Sequence, residues 1–478
     1  MAIILIVLAY FAVLFTVGRL TSRRSTNEAF YRADRRSPWP MVAFGMVGAS
    51  ISGVTFVSVP GMVQSSQMAY LQVCLGFIVG YVVVAFVLLP LYYRLNLTTI
   101  YTYLGQRLGR QSYLSGAWFF LLSKMTGAAL KFYVVCMVLQ EFVFDALGIP
   151  FWAGVVGLVL LIWLYTNRGG IKTLVVTDTV QTVCLLTALL LIIYKVTGDL
   201  GLSLGDAVQA VADSPMSRVF VMDDWASPRN FWKQFLSGVF IVVVMTGLDQ
   251  DMMQKNLTCK TLREAQKDMC SYGVAFVPVN LLFLSLGVLL TMLPATSGAT
   301  GDALLPAYVH TFLAEGDSVA AIPAIPAIFV LGIVAASFST ADSALTSMTT
   351  SFCVDVRQRP ADVQLRRRVH LLMCLVFAVF IILFRYVNSA SLIDAIYTMV
   401  GYTYGPLLGL FAFGLLTRRR PADRLVPYIC VASPLLCLAI DVLAQSQWGY
   451  HFGYELLMLN GLLTFAGLRG SSAYKFFS

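Results

Sequence analysis

Charge is what this sequence lacks. Only 12% of its 478 residues are Asp, Glu, Lys or Arg, while 58% are hydrophobic, and a soluble domain would carry about twice that share of charge. A mean hydropathy of +0.79 makes the chain a polytopic membrane protein. Its pI near 9.1 is therefore read through topology and not through nucleic acid. None of its nine cysteines stands in a CxxC pair, so neither a disulfide framework nor a zinc site is indicated. The three histidines, His310, His370 and His451, are scattered, and no HExxH, P-loop or GxSxG motif occurs, so no enzyme is expected. The first apolar run, Ala2 to Val17, ends at Gly18-Arg19 without a small-residue cleavage site. It is expected to span the membrane rather than to be removed.

What is present is a series of 13 apolar runs, most of them long enough to cross a bilayer. They lie near 2–20, 38–64, 68–93, 112–146, 150–167, 173–197, 232–254, 269–294, 322–352, 367–387, 389–417, 425–445 and 454–469. With the N-terminus outside, 26 of the 33 Lys and Arg fall in cytoplasmic loops and flanks, which predicts an N-out, C-in topology. Two cations fall within a span: Lys124 and Lys131, seven residues apart and so on one helical face. Intramembrane cations need partners, and the candidates are Asp178 and Asp342. Asp249, Asp251 and Lys255 read as a solvated cluster at the cytoplasmic end of the seventh span, and Asp355 as a helix-end residue near Arg357.

The stretch Val334 to Asp355, VAASFSTADSALTSMTTSFCVD, is rich in hydroxyls inside an apolar run. In lipid these must face protein or a wet cavity. Ala336, Ser339, Thr340 and Ser343 share one helical face, and hydroxyl oxygens suit hard cations. Equally, Ser and Thr let membrane helices pack closely, and both readings stand at this point. The second span carries Gly48, Ser50, Ser52, Gly53, Pro60 and Gly61, and the seventh carries Thr246-Gly247 before Asp249. Each is expected to break, and interrupted helices at matching positions of two halves mark the binding site of an inverted-repeat transporter.

Five motifs in order resemble the sodium:solute symporter family. They are FYRADRRSPWP before the second span, PLYYRLNLTTIYTYLGQRLGR (Pro90–Arg110), RGGIKTLVVTDTVQ (Arg168–Gln181), GLDQDMMQKNLTCKTLREAQK (Gly247–Lys267) and the hydroxyl-rich run ending at Asp355. The resemblance implies an all-α fold of about 13 transmembrane helices with two inverted five-helix repeats. These would be 38–197 and 232–417, with an extra first helix and loop at 1–37 and two C-terminal helices at 418–478, all in one transporter domain. It implies a main Na+ site made by the carbonyls of Gly48, Ile51 and Ala336 and the hydroxyls of Ser339 and Thr340. A second cation site, which some members have, would use Asp178 and Ser343, with Asp342 standing where those members have a hydroxyl. Ser50, Ser52 and Thr55 match substrate-contacting positions, and Lys124 resembles the cation that clamps a carboxylate in sialic-acid transporters. Gln72, Thr398 and Tyr402 are wall residues by depth. Val242 and Met245 stand where sugar symporters use an Asn and a gating Tyr.

The expected function is sodium-coupled uptake of a small polar solute across the cell's inner (plasma) membrane: a carboxylate, an amino acid or an acidic sugar. Proton coupling through Asp342 and Asp178, or a solute sensor that keeps the fold without transport, are the alternatives. Partners are the solute, Na+ and lipid, with no nucleic acid and no obligate protein partner.

Overall fold

The computed structural model describes residues 2–21, 26–223, 225, 227–314, 324–386, 392–450 and 452–473. Arg23, Arg24 and Lys475, counted above among the cytoplasmic cations, lie outside them. The regular elements of the described chain are all helices, and a helix satisfies its backbone groups within its own segment, as a bilayer demands. Among the described residues, eight helices are long and apolar enough to cross a membrane, or ten when two bent pairs each count as one span.

In chain order, α1 is Ala2–Thr21. The first bent pair is α2 (Trp39–Ser50) and α3 (Gly53–Ser66), meeting at 62°. Then come α4 (Tyr70–Arg94) and α5 (Arg110–Leu147), α6 (Phe151–Gly169) and α7 (Ile171–Asp199). The second bent pair is α8 (Phe231–Gly247) and α9 (Gln250–Asn256), meeting at 69°. After it come α10 (Leu262–Thr291), α11 (Ile325–Val356) and α12 (Val363–Phe384). The chain closes with α13 (Leu392–Leu416), α14 (Asp423–Trp448) and α15 (Leu456–Ala473).

Helix α11 is the axis of the bundle. Every residue from 332 to 351 is buried, so its hydroxyls face protein on all sides and not lipid. By contrast α14 turns Leu435, Leu436, Val442 and Leu443 outward, the apolar surface that lipid covers.

Both breaks follow from local sequence. At the first, Ile51 leaves helical geometry at φ −82°, ψ 102°. The Ser52 amide is taken by Thr55 Oγ1 at 3.3 Å, so α3 starts afresh there. A helix end leaves its last carbonyls without intrahelical partners, here at the centre of the protein. Glycines bring the neighbours close. A Cβ on Gly48 would meet Thr182 Oγ1 at 2.0 Å, and one on Gly45 would meet the Asp178 Cβ at 3.0 Å. The packing of α2 on α7 thus sets Asp178 beside the break.

At the second break, Asp249 caps α9 by accepting from the Asp251 amide at 2.8 Å. The freed carbonyls find buried tyrosines: Tyr92 donates to Gly247 at 2.8 Å and Tyr101 to Leu248 at 2.9 Å. Gln250 then ties the 95–102 segment down, accepting from the Ile100 amide at 2.9 Å and donating to the Thr98 carbonyl at 3.2 Å.

Candidate functional site

The two breaks face one cavity. Ala49, Ser50, Ser52 and Thr55 of the first bent pair line it, with Thr246, Asp249 and Asp251 of the second. Lys124 and Lys131 of α5, Tyr272 of α10, Thr340 of α11 and Tyr404 of α13 complete its polar wall. Phe77, Tyr81, Val242, Met245, Phe276 and Val400 supply the apolar part. An apolar cleft with a few convergent polar groups is the usual form of a small-molecule site.

The polar groups fall into three sets. In the first, Tyr81 donates to the Tyr272 hydroxyl at 2.8 Å, and Tyr272 hydrogen-bonds Ser50 at the break. In the second, Lys124 Nζ lies 3.1 Å from Asp249 Oδ2 and 2.7 Å from Asp251 Oδ2, while Tyr404 donates to Asp249 at 2.7 Å. The third is Lys131, which lines the cavity two helical turns from Lys124 and has no ion-pair partner among the described residues.

Behind the wall, the Thr340 hydroxyl lies 3.1 Å from the Ala49 carbonyl and 3.2 Å from the Ala336 carbonyl. It therefore bridges α11 to the first break. Ser339 donates to Asp178 Oδ1 at 2.7 Å. Asp178 Oδ2 lies 2.8 Å from Lys255 Nζ, an ion pair in which both side chains are buried. Asp342 accepts from Tyr165 at 2.7 Å, and its other oxygen has no hydrogen-bond partner.

The structure brings Ser50, Ser52, Thr55, Lys124, Lys131 and Thr340 to one cavity. It does not bring Gln72, Thr398 or Tyr402 there. Gln72 is buried between the Arg229 carbonyl and the Val221 amide, at 3.0 and 3.1 Å. Thr398 is exposed, and Tyr402 turns away toward Asp441 at 3.3 Å. At the first break Thr340 meets the carbonyl of Ala49, one residue on from Gly48.

Three readings are corrected. Lys124 pairs with Asp249 and Asp251, not with Asp178 or Asp342. Asp249, Asp251 and Lys255 are not a solvated cluster: they are 1%, 3% and 1% exposed. Asp355 is buried as well, and accepts from Ser351, Tyr113 and Thr99. The physical reason for the first two is the 69° bend. A straight seventh span would carry the Asp-Gln-Asp run toward the membrane surface, whereas the bend keeps it beside α5. A signal was available, since a carboxylate two residues after Gly247 is the kind of cap that a restarted helix favours.

A sequence model described as the sodium:solute symporter family matches residues 30–423. Among characterised proteins, a sodium/sialic acid symporter of Aliivibrio fischeri is 25% identical over 448 residues, covering 87% of this chain and 83% of that protein. A sodium/sialic acid symporter of Proteus mirabilis is 24% identical over 89% of this chain and 87% of its own length. The human sodium/iodide cotransporter is 23% identical, and the chain spans 62% of its length. In structure, the chain is similar to a Na+-coupled sialic acid symporter in a substrate-bound outward-open state, with a TM-score of 0.79 at 18% identity over 99% of this chain and 98% of that one. It is also similar to a nucleobase-cation-symport-1 family transporter in a closed conformation, with a TM-score of 0.60 at 16% identity over 94% of this chain and 96% of that one.

Proposed function

The chain belongs to the sodium:solute symporter family, and from that premise we propose that it couples inward sodium flow to uptake of a small polar organic solute by alternating access. One observation carries the reading. Thr340 and Ala49 both line the cavity, and they also meet each other across the first break. An ion held there joins α11 to the broken helix next to the solute. Sodium and solute then favour the same arrangement, so each tightens the other's binding.

The ligands for sodium are the carbonyls of Gly48, Ile51 and Ala336 with the hydroxyls of Ser339 and Thr340, and the Ala49 carbonyl joins them. Neutral oxygens suit a monovalent ion that must also leave. The solute is an organic anion or zwitterion: a carboxylate, an amino acid or an acidic sugar. Lys124 is already neutralised by two carboxylates, which leaves Lys131 as the cation that meets the solute's carboxylate. Ser50, Ser52 and Thr55 stand at the start of α3, where a helix N-terminus favours negative charge. The relatives named for sialic acid and iodide support an anion.

The architecture that goes with this reading has thirteen spans, N-out and C-in, in an inner (plasma) membrane. The eight long helices and two bent pairs are joined by α1, α6 and α15. Residues 38–197 and 232–417 form two inverted five-helix repeats, each opening on its bent pair, with 1–37 and 418–478 outside them.

The test is a thermal-shift titration of the purified protein in sodium against potassium, wild type beside Ser339→Ala/Thr340→Ala. Stabilisation by sodium alone, lost in the variant, is the expected result. A second reading, proton coupling, is favoured by Asp342, a buried carboxylate held by Tyr165 and with one oxygen unpartnered. No sodium response, but a pH response that disappears in Asp342→Asn, would replace the first reading by the second.

A further inference from the structure

The buried pair Lys255–Asp178 has no part in the cavity wall, yet it lies directly behind the residues assigned to sodium. Asp178 is on α7, Lys255 on α9 and Ser339 on α11, so three elements converge on one carboxylate. Both of its oxygens are engaged: Oδ1 accepts from Ser339 at 2.7 Å and Oδ2 faces the ammonium at 2.8 Å. Neither residue is more than 1% exposed. A buried carboxylate among hydroxyls draws a cation, because an unpaired charge out of water is costly. Here the chain supplies that cation itself.

We propose that Lys255 is a resident cation, filling with its own ammonium the place beside Asp178 that a second mobile ion would otherwise take, so that the chain couples through a single sodium. This rests on the sodium-coupled reading above. The argument is electrostatic. A sodium ligated by Asp178 would share a carboxylate that already holds the Lys255 ammonium at 2.8 Å. It would also sit within a few ångströms of the ammonium, and like charges at that range repel strongly where water is excluded. Asp342 and Ser343, the other residues expected at a second cation site, follow within one turn of Ser339 on α11.

The position of Lys255 has a mechanical consequence. It is carried by the half-helix beyond the second break, so the resident cation ties that half-helix to α7. A mobile ion would leave with each cycle, whereas Lys255 stays and holds α9 to α7 and α11 in the arrangement seen here.

The experiment counts sodium bound at saturation by the purified full-length protein, with radiolabelled sodium as the probe. Wild type is expected to bind one sodium per chain along a hyperbolic isotherm. Lys255→Met removes the resident cation and is expected to bind two, with Asp178→Asn in that background returning the count to one. Should Lys255→Met alone fail to fold, the charge-neutral Lys255→Met/Asp178→Asn protein is the readout, with one sodium expected. Two sodiums on wild type, one on a folded Lys255→Met protein, or none on the neutral double variant would each overturn the resident cation. No sodium on wild type would overturn sodium coupling itself, and the single-ion claim with it, which is a different and separable failure.

Discussion

Lys124 Nζ lies 2.7 Å from Asp251 Oδ2, and this contact fastens α5 to the half-helix beyond the second break. Asp249 shares the same ammonium at 3.1 Å. The two lysines of α5 therefore have separate tasks, although the sequence presents them as a pair. Removing Lys124 strands two buried carboxylates, and breaking a buried ion pair from one side costs about 3–5 kcal/mol. Lys124→Ala is expected to lower thermal stability sharply in detergent, with or without sodium. Lys131→Ala removes no ion pair and is expected to leave stability within about 1 kcal/mol of wild type, while abolishing stabilisation by carboxylate solutes in a sodium-containing screen. Equal stability loss in the two variants would refute the division.

Thr340 gives a finer test of the ion site than the double alanine variant. Its hydroxyl is the group that meets Ala49 across the break. Thr340→Ser keeps the oxygen and loses only a methyl, whereas Thr340→Val keeps the shape and loses the oxygen. At a hundredfold excess over Kd a bound ion stabilises a protein by about 2.7 kcal/mol. That increment should survive in Thr340→Ser and vanish in Thr340→Val. Sodium stabilisation that persists in the valine protein would remove this hydroxyl from the site.

Close helix crossings make a separate prediction. A Cβ on Gly76 of α4 would meet the Phe235 carbonyl oxygen at 2.1 Å, and one on Gly238 of α8 would meet the Val73 carbonyl oxygen at 2.2 Å. The two glycines are reciprocal, each letting the partner's backbone approach. Gly53 is tight for a softer reason, because its Cβ would meet Ser337 Oγ at 2.3 Å, and a serine hydroxyl can turn aside while a backbone carbonyl cannot. Gly76→Ala and Gly238→Ala are each expected to cost about 1–3 kcal/mol or more by overpacking. Gly53→Ala should cost less stability but alter sodium binding, since its Cβ would still press on Ile333 Cγ2 of α11 at 3.3 Å, beside the break. A thermal melt of all three, with and without sodium, separates the two classes.

The sequence carries the span pattern, both breaks and the hydroxyl face of α11 openly, because each is a local property: an apolar run, a Gly-Ser cluster, an i, i+3, i+4 spacing. That Thr340 stands beside the first break is not local, and only the family resemblance implied it. The ion pairs are not local either, because they join residues on different helices. Lys124 and Asp251 are 127 positions apart, and nothing local says which carboxylate a buried ammonium meets. Placing Asp249 and Asp251 at the membrane surface follows from drawing the seventh span straight. The break was expected, but a break also changes direction, and the 69° turn is what moves the charges inward. Gln72 and Tyr402 show the converse limit: depth along a helix does not specify which way a side chain points.

Asp355 shows how the end of α11 is secured, and that bears on which part of the bundle moves. Its carboxylate accepts from Ser351 one turn back at 2.6 Å, from Tyr113 of α5 at 2.9 Å and from Thr99 in the 95–102 segment. Gln250 of α9 holds that same segment through Ile100 and Thr98. One carboxylate and one amide thus bind α5, α9 and α11 to a single connecting loop. Asp355→Ala takes the acceptor from two buried hydroxyls, Ser351 and Thr99, and from the half-buried Tyr113, at about 1–3 kcal/mol for each buried one that stays unsatisfied. The loss should appear locally first, as faster amide hydrogen exchange across 95–102, because Asp355 is one of the groups, with Gln250, Tyr101 and Arg32, that attach that segment. If the loop gates access to the cavity from that end, Asp355→Ala should also raise the labelling rate of a cysteine placed at Ser50 by a reagent added from the same side. Unchanged exchange in 95–102 would mean that the loop is held without Asp355, and the gating role would fall with it.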